Sequence, residues 1–127
     1  MQNSNFYTIG LFSVFVVSLL TIMQDVSAET FDIVIPVGSV DPKSPFHFIP
    51  SELTVSVGDK IRWINFDDVS HTATSGSFQG GPNGIFNSGL LENSEVFSYQ
   101  TKSSDIGTLT YYCTLHPWMN GILCVGS

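Results

Sequence analysis

Three side chains near the end of the chain have the chemistry to bind one metal ion together. Cys113, His116 and Met119 supply a thiolate, an imidazole and a thioether at intervals of three residues. Soft sulfur ligands favour copper, and two histidines with one cysteine and a weak axial methionine make an electron-transfer copper site. The segment is one imidazole short of that set. His71, which follows a polar turn earlier in the chain, is the candidate that completes it.

Each of these residues has an ordinary structural explanation when it is taken alone. A single methionine commonly fills a hydrophobic core, and a single cysteine behaves as a small apolar residue. Zinc is the main competing metal, but it prefers further cysteine, histidine or carboxylate ligands and gains little from a thioether. The joint spacing Cys-x₂-His-x₂-Met, with a histidine upstream, therefore favours copper.

The two cysteines raise the alternative of a disulfide bond. A bridge between Cys113 and Cys124 is the first expectation for an exported chain. Against it, Cys113 has histidine and methionine at ligand spacing, and alternation along the last segment places Leu123 and Val125 on the face opposite Cys124. Spacing alone does not exclude the bridge. We predict that Cys124 is a free thiol, either buried at a sheet edge or available for pairing between chains.

Residues 1–28 resemble a secretory signal. Residues 6–23 carry no charge, residues 11–20 are almost wholly apolar, and residues 26–28 are the small set Val-Ser-Ala that a signal peptidase prefers. The first ten residues lack the usual Lys or Arg. The alternative is a retained membrane anchor, because about 18 uncharged residues are near the lower limit for a spanning helix. We predict cleavage, and export to the periplasmic or extracellular side of the membrane.

Residues 29–127 are long enough for one small domain with a hydrophobic core. The chain has 4 Lys and Arg against 11 Asp and Glu, for a net charge of −7. The basic residues are scattered singly, whereas nucleic-acid binding needs clustered positive charge. We therefore expect no nucleic-acid partner, and contact with a membrane only if the N-terminal segment is retained. An acidic surface favours steering towards a basic protein partner.

Short alternating segments predict an all-β fold. Gly58-Asp59 is a hairpin signal, and residues 76–89, rich in Gly, Asn and Ser, are predicted to form a loop. No segment after the signal shows a helical period over about ten residues. Several short strands with turn signals between them predict a β-sandwich or barrel. The predicted strands are residues 30–37, 53–57, 60–65, 72–75, 96–101, 108–113 and 122–125.

The strand ends would bring the ligand candidates together. Cys113 has the parity of the core-facing residues of its strand, at the point where that strand ends. Residues 67–70 are expected to form a polar turn that delivers His71, with Asp67 and Asp68 in solvent. His47, between two phenylalanines, is expected to be a packing or surface residue.

The chain resembles a small type 1 blue copper protein of the cupredoxin family, in the plastocyanin and amicyanin branch. The resemblance covers nearly all of residues 29–127, and the two-residue gap between His116 and Met119 is similar to the short ligand loop of amicyanins. The segments that carry it are Phe48-Ile49-Pro50, Val55-Ser56-Val57-Gly58-Asp59, Trp63-Ile64-Asn65, His71-Thr72, Phe86-Asn87-Ser88-Gly89-Leu90-Leu91, Tyr111-Tyr112-Cys113, His116-Pro117-Trp118-Met119 and Gly121.

The resemblance implies a cupredoxin-like Greek-key β-sandwich of about eight strands. It implies one copper ion that cycles between Cu(I) and Cu(II), with His71, Cys113, His116 and Met119 as its ligands. It also implies that the residue after the first histidine, Thr72, ties the two ligand loops together and donates its N–H to the cysteine sulfur.

The resemblance further implies that the ring edge of His116 is the electron port. Pro117 and Trp118 would flank it as an apolar docking patch for redox protein partners, in a transient contact of small area. Three residues depart from the family pattern. Leu115 stands where amicyanins usually have proline, Thr101 where relatives often have an aromatic residue, and Cys124 is unusual on a final strand.

The donor set predicts a one-electron carrier with no substrate of its own, and therefore not an enzyme. We also expect the carrier to be a monomer. The first alternative is a copper-binding or trafficking protein, but such proteins favour exposed Met- or His-rich tracts, which this sequence lacks. The second is a catalytic cupredoxin with an open copper position. That arrangement would need the axial Met119 to be replaced, and the methionine is present.

Overall fold

The structure is a computed structural model that describes residues 27–127. Nearly all of the predicted signal, residues 1–26, lies outside the described residues. Within residues 27–127, no helix is long and apolar enough to cross a membrane.

Eight strands in two sheets make up just under half of the described residues. The three-stranded sheet has the order β1-β3-β6 and the five-stranded sheet the order β2-β8-β7-β4-β5. The β1–β3 and β2–β8 pairs are parallel, and the other pairs are antiparallel. The prediction of an all-β sandwich of about eight strands is confirmed. The elements are β1 (Thr30–Ile35), β2 (Glu52–Ser56), β3 (Lys60–Asn65), β4 (Thr74–Ser77), β5 (Gly81–Asn87), β6 (Val96–Gln100), a 3₁₀ turn (Ser103–Asp105), β7 (Gly107–Tyr112) and β8 (Asn120–Gly126).

Both sheets send alternating apolar side chains into one core, and its centre is aromatic. Trp63 of β3 is completely buried, with its ring centroid 5.0 Å from that of Phe86 and 5.4 Å from that of Tyr111. Aromatic rings attract one another at these separations. Tyr111 of β7 lies two residues before Cys113, so this packed cluster supports the strand end that leads into the cysteine.

The predicted hairpin at Gly58-Asp59 is wrong, because β2 and β3 lie in different sheets. The N–H of Gly58 donates to the carbonyl of Thr101 (3.1 Å), and the N–H of Thr101 donates to the carbonyl of Asp59 (2.9 Å). The hydroxyl of Thr101 donates to the carbonyl of Ser56 (2.8 Å). The turn therefore crosses between the sheets and is fixed by a residue distant in sequence. Its local composition is the same as that of a hairpin turn.

The loop predicted for residues 76–89 is wrong in part, because β5 lies within it. The preceding strand is also displaced by two residues from the predicted 72–75. Gly76 and Gly81 have positive φ angles of 122° and 78°, and the β4–β5 ladder shifts register next to Gly76. The Ser75 hydroxyl donates to the Phe86 carbonyl (3.0 Å) and accepts the Phe86 N–H (2.8 Å). Glycine and asparagine are poor strand formers, so composition concealed this strand.

Gly121 on β8 lies against the face of the Tyr111 ring. A Cβ at this position would overlap the ring, which is 1% exposed and packed against Phe48 and Trp63. We predict that Gly121→Ala lowers the free energy of unfolding in urea by about 1–3 kcal/mol or more, the usual cost of overpacking a core.

Gly126→Ala on the same strand is the matched control. A Cβ there meets only the Val55 carbonyl oxygen, at 3.8 Å, which is an ordinary contact. We expect a change within about 1 kcal/mol for this variant. Equal stabilities of the two variants would contradict the packing of Tyr111 on Gly121.

Candidate metal centre

The loop between β7 and β8 holds three of the four predicted ligands in a tight turn. Cys113 is the first residue after β7, and Met119 is the last before β8. The N–H of Cys113 donates to the carbonyl of Met119 (3.1 Å), that of Met119 to the carbonyl of His116 (2.9 Å), and that of His116 to the carbonyl of Cys113 (3.3 Å). These backbone hydrogen bonds hold Cys113, His116 and Met119 at fixed positions relative to one another.

The donor atoms of His71, Cys113 and His116 form a small triangle. The two histidine Nδ1 atoms lie 3.1 Å apart, and the Cys113 Sγ lies 3.5 Å from the Nδ1 of His116 and 3.8 Å from that of His71. A point equidistant from the three atoms is about 2.0 Å from each, close to the bonds of about 2.0–2.3 Å that such ligands make to zinc, a metal of similar size. The three residues therefore fit one metal ion in a trigonal plane.

Met119 is completely buried. Its backbone groups bond both Cys113 and His116, so the thioether belongs to the same closed loop. The structure thus brings together His71, Cys113 and His116 as a group. The full ligand set, with the Met119 sulfur as a weak axial ligand, stays a prediction.

The ring of His71 is completely buried, and a carboxylate holds its far side. The Nε2 of His71 lies 2.7 Å from Oδ2 of Asp67 and 3.3 Å from the Ser39 hydroxyl. Asp67 also accepts the N–H groups of Gly38 (3.1 Å) and Asp68 (2.9 Å) and the Ser39 hydroxyl (3.2 Å). The expected solvated turn is wrong for Asp67, which is 3% exposed. Its burial depends on the distant loop that carries Ser39, which no local pattern reveals.

Both members of this pair have shifted pKa values. Burial raises the pKa of Asp67, but hydrogen bonds from His71 and the backbone lower it more, so the carboxyl titrates below its usual range. Burial lowers the pKa of His71, but Cys113 and Asp67 raise it more, and the net pKa lies above its ordinary value. Asp67 is therefore ionised at neutral pH. Because metal ligands must be deprotonated, any proton on Nδ1 of His71 has to leave when a metal binds.

Asn65, at the end of β3, fixes the segment that delivers His71. Its side-chain N–H groups donate to the carbonyls of Val69 (2.9 Å) and Leu91 (2.8 Å), and its Oδ1 accepts the N–H of Asp67 (2.9 Å). His71 and Leu91 exchange two backbone hydrogen bonds of 3.1 and 2.8 Å. Sequence reasoning missed this role of Asn65. Its position at the end of an apolar strand was the one available signal.

Thr72 joins the two ligand loops, as the resemblance implies. Its N–H donates to the Cys113 sulfur (3.3 Å), and its hydroxyl oxygen accepts the N–H of Thr114 (2.9 Å). Burial raises the pKa of the Cys113 thiol. The ring of His71 and the backbone N–H groups of Thr72, Leu115 and His116 lower this pKa by more. The net pKa lies below the ordinary value, which favours the thiolate that a metal needs.

His116 is the ligand candidate that reaches the surface. It is partly exposed, and its ring centroid lies 5.4 Å from that of Trp118. Leu115 and Trp118 are 50% and 38% exposed beside it, and Pro117 is partly buried. Burial lowers the pKa of His116, and the neighbouring His71 lowers it further. The ring is therefore neutral at neutral pH.

The other candidates lie outside the site. His47 is partly exposed, its Nε2 is 3.1 Å from the carbonyl of Asp41, and it is not in the donor group. Both cysteines are free, so the disulfide alternative is not formed. Cys124 faces away from the core, as predicted, and pairs with Thr54 and Thr108. The expectation of a sheet edge is wrong, because β8 lies between β2 and β7.

Two sheets with a His, Cys and His donor set, of which His71 and Cys113 are buried, define the cupredoxin class of copper protein. The sequence profile of copper-binding proteins of the plastocyanin/azurin family matches residues 37–126. The chain therefore belongs to the plastocyanin/azurin family of copper-binding proteins. Members of this family bind copper and are generally electron carriers, so the predicted cofactor is confirmed. A comparison with curated protein sequences finds no significant match.

Solved structures of cupredoxins share the fold. A purple cupredoxin from Nitrosopumilus maritimus is 31% identical, with a TM-score of 0.68 over 79% of this chain and 100% of the other. A Cu(I) form of an amicyanin mutant is 22% identical, with a TM-score of 0.58 over 76% and 82% of the two chains. An oxidised amicyanin mutant is 27% identical, with a TM-score of 0.50 over 60% and 70%.

Leu115 provides a test of how the backbone tunes the thiolate. Its N–H is one of the groups that lower the pKa of the Cys113 sulfur, and proline would remove it. A thiolate that loses a donor gives more electron density to copper and stabilises Cu(II). We predict that Leu115→Pro lowers the reduction potential, measured by voltammetry, by up to about 60 mV, the equivalent of one hydrogen bond of about 1.4 kcal/mol.

Leu115→Ala is the matched control, because it shortens the exposed side chain and keeps the N–H. Its reduction potential should stay close to that of the unchanged protein. A Leu115→Pro potential equal to or above that of Leu115→Ala would show that this N–H does not act on the sulfur.

Proposed function

We propose that the protein is an exported one-electron carrier whose single copper ion is held by His71, Cys113, His116 and Met119. The triangle formed by the His71, Cys113 and His116 donor atoms carries the proposal, because its size and donor types fit copper. Bound copper supplies a centre that cycles between Cu(I) and Cu(II). The chain supplies the fixed geometry.

A carrier benefits from ligands that move little when the charge of the site changes. Cys113 is fixed between two strand ends by backbone hydrogen bonds and by the Thr72 N–H. His71 is buried and bonded through its Nε2 and its backbone. The proposed site therefore needs little rearrangement between its two oxidation states. Such rigidity hinders a delivery protein, which must release its metal, and supports the carrier over the trafficking alternative.

The surface around His116 supports docking of a redox protein. Its ring is the route from the buried site to solvent, and Leu115, Pro117 and Trp118 provide apolar surface around it. A small apolar patch suits an encounter that must form and separate quickly. The net negative charge, which is −7 for the full sequence and −6 once Asp25 is removed with the predicted signal, would steer the carrier towards a basic partner. We propose that the carrier acts as a monomer and has no enzymatic substrate.

Export follows from the predicted signal at residues 1–28, and a retained segment would instead tether the carrier to a membrane. The purple colour of the Nitrosopumilus maritimus relative bears on the spectrum. We expect an intense thiolate-to-copper absorption, and its wavelength will show whether the site is blue or purple.

The two cysteines allow a direct test of the site. We predict that residues 29–127 titrated with Cu(II) develop an intense visible band that saturates at one copper per chain and disappears reversibly with ascorbate. Cys113→Ser should abolish the band, because it removes the thiolate. Cys124→Ser should keep it, because that side chain lies on the outer face of β8.

Electron exchange tests the carrier role itself. The protein reduced by ascorbate is mixed with an oxidising redox protein. Rapid and repeated reoxidation without net loss of copper supports the proposal. If copper bound without the intense band, the proposed Cys113 thiolate ligand would be ruled out. Copper that transfers readily to another apo-protein, while redox cycling is slow, would favour trafficking.

A further inference from the structure

The carboxylate of Asp67 lies behind His71, on the side of the ring opposite the donor triangle. The Nδ1 of His71 faces the donors of Cys113 and His116, whereas its Nε2 lies 2.7 Å from Oδ2 of Asp67. The two ring nitrogens therefore have separate tasks. A carboxylate next to Nε2 favours a proton on that nitrogen and leaves the Nδ1 lone pair for a metal.

The carboxylate is itself held in place from several directions. The N–H groups of Gly38 and Asp68 and the hydroxyl of Ser39 all donate to it, and Ser39 is completely buried. Asn65 accepts the N–H of Asp67 and so fixes its backbone. A residue with this many directed contacts cannot turn away from the histidine without breaking them, so the Asp67–His71 geometry is fixed before any metal binds.

Within residues 27–127, no Lys or Arg side chain forms an ion pair with Asp67. Within residues 27–127 the ion pairs are Arg62–Asp32, which is exposed, and His71–Asp67. Once His71 is a neutral ligand, Asp67 retains a net charge in a buried position. Solvent and salt screen a buried charge less than an exposed one, so its effect on a nearby group is larger. A nearby negative charge stabilises Cu(II) relative to Cu(I), because the oxidised site carries one more positive charge.

We propose that Asp67 is a positioning residue that sets the Nδ1-ligating tautomer of His71 and, through its buried negative charge, lowers the reduction potential of the copper site. This inference rests on the proposed function, because it needs copper at the donor triangle. It adds to the four ligands a fifth residue that determines the driving force of electron transfer.

The test compares Asp67→Asn with Asp68→Asn. Asparagine keeps one oxygen that can accept from Nε2 of His71 and removes the charge, while its amide nitrogen replaces the oxygen that accepts the Gly38 and Asp68 N–H groups. Asp68 is the neighbouring carboxylate and is exposed, so its removal changes net charge equally but in solvent. We expect Asp67→Asn to raise the equilibrium constant for reduction at least tenfold, or about 59 mV for one electron. Asp68→Asn should change it less than about threefold, because solvent screens an exposed charge.

Ser39→Ala is a second control in the same network. It removes a neutral hydroxyl that contacts both the Asp67 carboxylate and Nε2 of His71 without changing charge, so it should shift the potential less than Asp67→Asn does. Equal potentials for the Asp67→Asn and Asp68→Asn variants, with the intense band present in both, would overturn the inference and leave the proposed function intact.

The tautomer is measured on the metal-free protein by the ¹⁵N and ¹³C shifts of the His71 ring. We expect the proton of the neutral ring on Nε2. A proton on Nδ1 in the unchanged protein would overturn the positioning role, whether or not the Asp67→Asn variant folds or binds copper. Absence of the intense band in the unchanged protein would instead overturn the proposed function.

Discussion

The site depends on the hydrogen bonds that join two loops distant in sequence. The His71 segment and the loop from Cys113 to Met119 meet where the Thr72 N–H donates to the cysteine sulfur and the Thr114 N–H donates to the Thr72 hydroxyl. The first bond lowers the energy of the thiolate, and the second fixes the distance between the loops. Without this junction the donors would belong to two independent loops, and the triangle would not be defined before metal binding.

The two sheets make that junction rigid. β7 and β8 hold both ends of the ligand loop, and β7 packs through Tyr111 on Trp63 and Gly121. The opposite sheet ends at Asn65, which binds the segment that leads to His71. The packed core therefore supports both the Cys113–Met119 loop and the segment that carries His71. Since the strands are anchored in one close-packed core, the loops inherit its rigidity, and a carrier needs such rigidity to keep rearrangement small.

The sequence allowed prediction of the residues whose role depends on local spacing. Cys113, His116 and Met119 lie in one short loop, so their types and intervals indicated copper directly. Asp67 looked like a solvated turn, because its burial needs Ser39 from another loop. The Gly58-Asp59 turn has the composition of a hairpin, and only pairing with distant strands shows that it crosses between sheets. Both errors arose because the structure depends on contacts between residues far apart in sequence. The patterns of a single sequence do not reveal such contacts.

The central claim is that the chain forms the donor triangle by itself and copper enters it without rearrangement. Crystal structures of the metal-free and the Cu(II)-loaded protein would test it most directly. We predict that the Nδ1–Nδ1 distance of 3.1 Å and the Sγ–Nδ1 distances of 3.5 and 3.8 Å agree between the two forms within about 0.5 Å. A metal-free structure in which His71 or Cys113 turns away, so that the triangle appears only with copper, would contradict the account.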